Sequence, residues 1–101
     1  MPELDKHSGE KVRIDKWLWA ARFYRTRSLA KDAIDGGKVH CDGARVKVSK
    51  EVRLGMTFTI RQGFDEKTVT VKALSEVRGP ASVAQTLYEE TADSLVQREQ
   101  L

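Results

Sequence analysis

The run RIDKWLWAARFYRTRSLAKDAI, from Arg13 to Ile34, decides how this chain folds. Ile14, Trp17, Leu18 and Ala21 recur at i, i+3, i+4 and i+7, the spacing of one helical stripe. Lys16, Trp19, Ala20 and Phe23 repeat the same spacing on a second face, which is either covered by another element or meets a ligand. Thr26 is a good N-cap for a second helix, whose apolar side is Leu29, Ala30, Ala33 and Ile34. Gly36 and Gly37 supply its stop.

Working outward, the pattern changes from period 3.6 to period 2. Lys38–Cys41 alternates, Asp42-Gly43 is a strong hairpin signal, and Arg45–Val48 returns. Leu54-Gly55 marks another turn. Thr57–Arg61 and Thr68–Lys72 form a second expected hairpin, with Gln62–Lys67 as its loop. Gly79-Pro80 breaks the chain, and Ser82 with Gln85 has capping-box spacing. Val83, Ala84, Leu87, Tyr88, Ala92, Leu95 and Val96 then trace a final amphipathic helix. Helix, helix, strands, helix with local hairpins predicts an α+β fold. The expected organisation is a leader over 1–11, a core over 12–80 and a C-terminal helix over 81–101 packed on that core.

The chain has 101 residues, enough for one modest core; 40% are hydrophobic and 33% charged. The longest apolar run, Trp17 to Ala21, is far short of the roughly 20 residues that span a bilayer. The charged N-terminus has no secretion-signal pattern, so a cytoplasmic protein with no membrane partner is expected. One cysteine, Cys41, permits no internal disulfide, and Cys41, His7 and His40 make no zinc-type spacing. No cofactor or metal is expected. Ser82, His40 and Asp42 make no credible catalytic triad, there is no glycine-rich phosphate loop, and an enzyme is not expected.

Charge is unevenly placed. Residues 1–62 hold 14 basic and 8 acidic side chains, and residues 63–101 hold 4 and 7. Within Arg13–Lys31 six cations face the single acid Asp15, interleaved with Trp17, Trp19, Phe23 and Tyr24. That mixture suits a polyanion-binding surface better than a solvated face. Arg25, Arg27 and Lys31 would surround the start of the second helix, where Thr26 and free N–H groups already favour an anion. Lys16 and Arg22 would extend the patch along the first helix, and Lys38 and Lys47 over the hairpin. Arg13 either joins this surface or pairs with Asp15. Trp17 is expected in the core, and Trp19 under Leu87 or Leu95 of the last helix.

Read as motifs, the chain runs R-I-D-x-x-L, T-R-S-L-A-x-x-x-I, G-x-V-x-C-D-G-x-x-V and G-M-x-F-x-I. Over about residues 13–61 this resembles the S4 RNA-binding module, or αL motif. The resemblance implies two short helices on a small, mostly antiparallel twisted sheet, with the helix pair holding structured RNA. Asp15 to Tyr24, Gly36 to His40, Arg61-Gln62-Gly63 and Leu87 to Thr91 resemble the ribosome-associated heat-shock protein 15 family. Asp42-Gly43 stands where S4 modules often have Asn-Gly, and Cys41 and Met56 where many have Val and Asp. The family resemblance implies a partner of ribosomal RNA on free large subunits, including those that carry tRNA with a nascent chain, in recycling or rescue under heat stress; a monomer is expected. By the resemblance, Arg13, Lys16, Arg22, Arg25, Thr26, Arg27, Lys31, Lys38 and Lys47 are the expected RNA-binding residues. Other classes stay open at this point: a generic structured-RNA module, a protein adaptor acting through the acidic last helix, or DNA binding. DNA contact would be unspecific, because the second helix lacks the residues that read base edges.

Overall fold

The structure, a computed structural model, describes residues 12–99. The expected leader over 1–11 lies outside the described residues, as do Gln100 and Leu101. Strand β1 (Val12–Arg13) runs straight into helix α1 (Ile14–Ala20), and helix α2 (Arg27–Asp35) follows. Then come β2 (Val39–Cys41), β3 (Ala44–Arg45), β4 (Glu51–Val52), β5 (Thr57–Gln62) and β6 (Asp65–Val71). The chain ends in a helical turn α3 (Ala81–Ala84), a 3-10 turn (Gln85–Leu87), strand β7 (Tyr88–Glu90) and helix α4 (Ala92–Glu99). One antiparallel sheet has the order β3-β2-β5-β6-β7, and β1 pairs with β4 in a second, two-stranded ladder. The fold is α+β, as expected.

Alternation fixes which sheet face is inside. Phe58, Ile60, Val69 and Val71 are buried, as is Val39 opposite Ile60. The other face carries threonines: Thr59 Oγ1 lies 3.2 Å from Thr68 Oγ1 across the ladder. α1 and α2 lie against each other and share one core cluster with the buried strand residues. Trp17 is its largest member, fully buried, with ring centres 6.0 Å from Phe58 and 6.1 Å from Phe23. Its indole N–H donates to Ala73 O at 3.0 Å, so the polar end of the ring is satisfied. Burying such a ring is worth about 4 to 6 kcal/mol of transfer free energy.

Four local expectations need correction. First, α1 stops at Ala20, so Phe23 is not on a second helical face. The chain reverses at Arg22, whose φ is +67°, and Phe23 turns into the core at 4.6 Å from the Tyr88 ring. Arg22 N donates to Trp19 O (3.1 Å) and Phe23 N to Leu18 O (3.0 Å), closing the helix with an arginine where glycine is usual. Second, the loop expected over Gln62–Lys67 is only Gly63 and Phe64, because the ladder continues to the Gln62–Asp65 pair. Gly63 has the positive φ (+62°) that such a short connection needs. Third, the return strand after Asp42-Gly43 pairs only over Ala44–Arg45, although Val46 is still buried. Fourth, the helix expected over 81–101 is broken. Tyr88–Glu90 adds a strand to the sheet edge, because Val69 and Val71 of β6 lie directly opposite Glu90 and Tyr88. α3 begins after Pro80 with no side-chain cap, so the Ser82/Gln85 capping box does not form.

Candidate nucleic-acid interface

The start of α2 is built as its sequence requires. Thr26 is extended (φ −133°, ψ 161°) and its Oγ1 accepts from Leu29 N at 3.0 Å, capping the helix. No acidic residue occupies the first turn, so the partial positive charge there is not offset within the helix. At the other end Lys38 N donates to Ala33 O (2.9 Å) and Gly37 N to Ile34 O (3.1 Å), with Gly37 at φ +77°.

Beside that helix start lies a buried charge. Asp15 is 0% exposed, yet its carboxylate meets Arg27 Nη2 and Arg13 Nε, each at 3.3 Å. The two arginine side chains are themselves 49% (Arg13) and 41% (Arg27) exposed. One carboxylate thus anchors two guanidinium groups and leaves a net positive charge facing solvent. Arg27 Nη2 donates to Asp15 Oδ2, whereas Asp15 Oδ1 and Arg27 Nε, both buried, complete no hydrogen bond, so the Arg13 contact is the purely electrostatic one. Arg13 therefore pairs with Asp15 while half of its side chain faces solvent.

Arg13 also lines a groove of about 370 Å³ between α2 and residues 45–49. Ile34, Val46 and Val48 give it apolar walls, and Arg45, Lys47 and Asp35 line it with charge. Arg45 donates to Asp35 O and lies against Gly37, close to where a Cβ there would stand. The sequence reading missed Arg45, because its alternation placed it on the outer side of a short hairpin and nothing nearby in sequence announced a groove. Lys31, one helical turn on from Arg27, is exposed. Arg25 is exposed and has no hydrogen bond or ion pair among the described residues.

The remaining expected residues go elsewhere. Lys16 Nζ is 3.0 Å from Glu76 Oε1, and Arg22 Nε donates to Gly79 O at 2.8 Å. Both are committed to the 72–80 segment rather than to the helix start. Lys38 is exposed on the other edge of α2, where it lines a second groove with Tyr24, Asp32 and Arg61. Burial raises the pKa of the Tyr24 hydroxyl there. Trp19 is half-buried and packs against the core cluster that includes Leu87, and the Arg78 guanidinium stands 5.9 Å from its ring centroid. Arg78 is the second residue that sequence reading missed, since it sits in an irregular stretch with no periodicity to place it. Among the described residues no group of three or more His, Cys, Asp or Glu is arranged to hold a metal ion, and no helix is long and apolar enough to cross a membrane.

Comparison with known proteins matches the same elements. The S4 domain family matches residues 12–58, which run from β1 through the paired helices to the start of β5. Heat shock protein 15 of Escherichia coli K12 is 62% identical over 90 residues, covering 89% of this chain and 68% of that protein. The RQC P-site tRNA stabilizing factor of Bacillus subtilis is 38% identical over 61 residues, 60% of this chain and 69% of that one. A solved trimeric structure of Vibrio cholerae heat shock protein 15 superposes with a TM-score of 0.88 at 56% identity, over 90% of this chain and 92% of the other. The chain belongs to the heat shock protein 15 family, and its paired helices are those of an S4 domain.

Proposed function

We propose that this chain is a non-catalytic RNA-binding protein that associates with ribosomal RNA of the large subunit. The observation that carries the reading is the arginine pair held by buried Asp15 beside the capped start of α2. Arg13, Arg25, Thr26, Arg27, Lys31 and Lys47 form the contact surface in this reading, and Arg45 joins them. An RNA backbone is the natural partner. Its phosphates pair with exposed cations and with free helix N–H groups, and folded RNA is recognised chiefly by shape and phosphate geometry. Lys16, Arg22 and Lys38 complete the proposed set: Lys16 pairs with Glu76, and Arg22 donates its Nε to Gly79 O and keeps its charge.

Two relatives carry names that extend the reading. Heat shock protein 15 and the RQC P-site tRNA stabilizing factor are so named for heat stress and for tRNA in the ribosomal P site. We propose that this chain acts in the cytoplasm on free large subunits that carry tRNA with a nascent chain, in their recycling or rescue. The test is binding to large-subunit ribosomal RNA across a salt series. A steep linear fall of log affinity with log salt is expected, and the slope should become shallower by about one phosphate contact in Arg25→Ala. A salt-insensitive affinity would defeat the reading.

A further inference from the structure

Residues 72–80 join β6 to α3 without regular secondary structure. Side chains nevertheless lace this segment to α1 and to the turn after it. Trp17 Nε1 donates to Ala73 O and Lys16 pairs with Glu76, both at 3.0 Å. Arg78 Nη1 then donates to two carbonyls, Trp19 O at 2.6 Å and Tyr24 O at 2.9 Å. From the other side Arg22 Nε returns a bond to Gly79 O at 2.8 Å. The two arginines cross: each reaches from its own segment to a backbone oxygen of the other.

The two carbonyls that Arg78 joins bracket the reversal at Arg22. Trp19 is in the last turn of α1, and Tyr24 stands just before Arg25 and the cap residue Thr26. A single guanidinium nitrogen therefore ties the end of one helix to the entry of the next. Arg22 in that turn holds a left-handed backbone conformation that costs a non-glycine residue free energy, so the turn needs outside contacts to stay closed. The Trp19 ring packs the guanidinium from one side and limits the directions it can take.

We infer that Arg78 is a positioning residue for RNA binding: it fixes the turn that presents Arg25, Thr26 and Arg27, and does not itself touch phosphate. This rests on the RNA-binding reading of the α2 start. The physical consequence is preorganisation. A turn already closed in the free protein need not be ordered when RNA binds, and that ordering cost is withheld from affinity only if the clasp is broken.

The experiment uses the full chain, with large-subunit ribosomal RNA as probe, and compares Arg78→Met with Arg25→Ala. Methionine keeps an apolar stem on Trp19 and removes both donors. Two readouts are taken: affinity across a salt series, and amide hydrogen exchange of residues 20–26 without RNA. Arg78→Met is expected to expose those amides while β5 and β6 stay protected, and to weaken binding by roughly threefold to tenfold at every salt concentration. The salt slope should match the wild type, whereas Arg25→Ala should make it shallower. A slope that is shallower in Arg78→Met would make Arg78 a phosphate contact and overturn the inference. Unchanged exchange over 20–26, or faster exchange with wild-type affinity, would also overturn it. Loss of protection in β5 and β6 would show a general structural role and count against it too. If the wild-type chain bound no RNA, the RNA-binding reading would fail, and the exchange result would still decide whether Arg78 holds the turn.

Discussion

The fully buried carboxylate of Asp15 stands 3.3 Å from the guanidinium of Arg27, so the cation beside the α2 start is held from below by a charge that solvent cannot reach. Arg13 shares the same carboxylate at the same distance. Asp15→Asn keeps the shape and removes the charge that orients both arginines. Because each arginine side chain is about half exposed, the loss is chiefly that of charge-assisted contacts, about 1 to 3 kcal/mol. Urea unfolding should show the midpoint shift with an unchanged m-value; an unshifted midpoint would mean that the anchor contributes no stability.

Arg25 and Arg27 differ in what they hold, although the sequence presents them as a pair. Arg25→Ala removes an exposed side chain with no partner among the described residues and should change stability by less than about 0.5 kcal/mol. Arg27→Ala leaves Asp15 with Arg13 alone and should cost about 1 to 3 kcal/mol as well as affinity. A double Arg25/Arg27 variant therefore mixes binding with stability, and Arg25→Ala with Lys31→Ala is the cleaner pair. Thermal melts of the three single variants separate the two effects.

Glu90 carries the acid sensitivity of the C-terminal region. The bidentate hydrogen bond from Arg98 (2.8 and 2.7 Å) is the main reason its carboxyl is held below the ordinary glutamate value. The Ser94 hydroxyl (2.6 Å) adds to this, and burial opposes it. A depressed folded-state pKa means that the stabilisation is complete above the ordinary glutamate value, about 4.3, and is lost as pH falls through the lower folded value. Melting temperature should fall more steeply with acid in the wild type than in Glu90→Gln below about pH 4.3. Parallel curves would contradict the assignment.

The Asp42-Gly43 hairpin turn has positive φ at both residues, +53° and +84°. A Cβ at Gly43 would meet nothing within 4 Å, so Gly43→Ala tests backbone conformation alone. It should cost about 1 kcal/mol of stability in a denaturant titration and leave RNA affinity at the wild-type value.

What the sequence made legible was local. Thr26 as a cap, Gly37 as a stop, Asp42-Gly43 as a turn and Trp17 in the core all follow from spacing within a few residues, and the structure has each. What it hid were distant partners. Lys16 and Arg22 read as free cations in the sequence, whereas the fold brings Glu76 and Gly79 O to them from 60 and 57 residues away. Arg45 and Arg78 were missed for the same reason, since their roles depend on backbone oxygens brought up by the fold. The final helix was over-extended because Leu87, Tyr88 and Ala92 fit a helical period, while the open edge of β6 offered Tyr88–Glu90 backbone partners that periodicity does not register. The family resemblance, by contrast, held over nearly the whole chain.

The central claim is that the face around Arg13, Arg25, Arg27 and Lys31 binds large-subunit RNA. Its most direct measurement is sedimentation of the purified chain with separated large subunits, small subunits and assembled ribosomes, at low and moderate salt, beside the Arg25→Ala/Lys31→Ala variant. Co-migration with free large subunits, retained at moderate salt and lost in the variant, is the predicted result. Equal weak binding to every particle, or selective binding that the variant keeps, would contradict it.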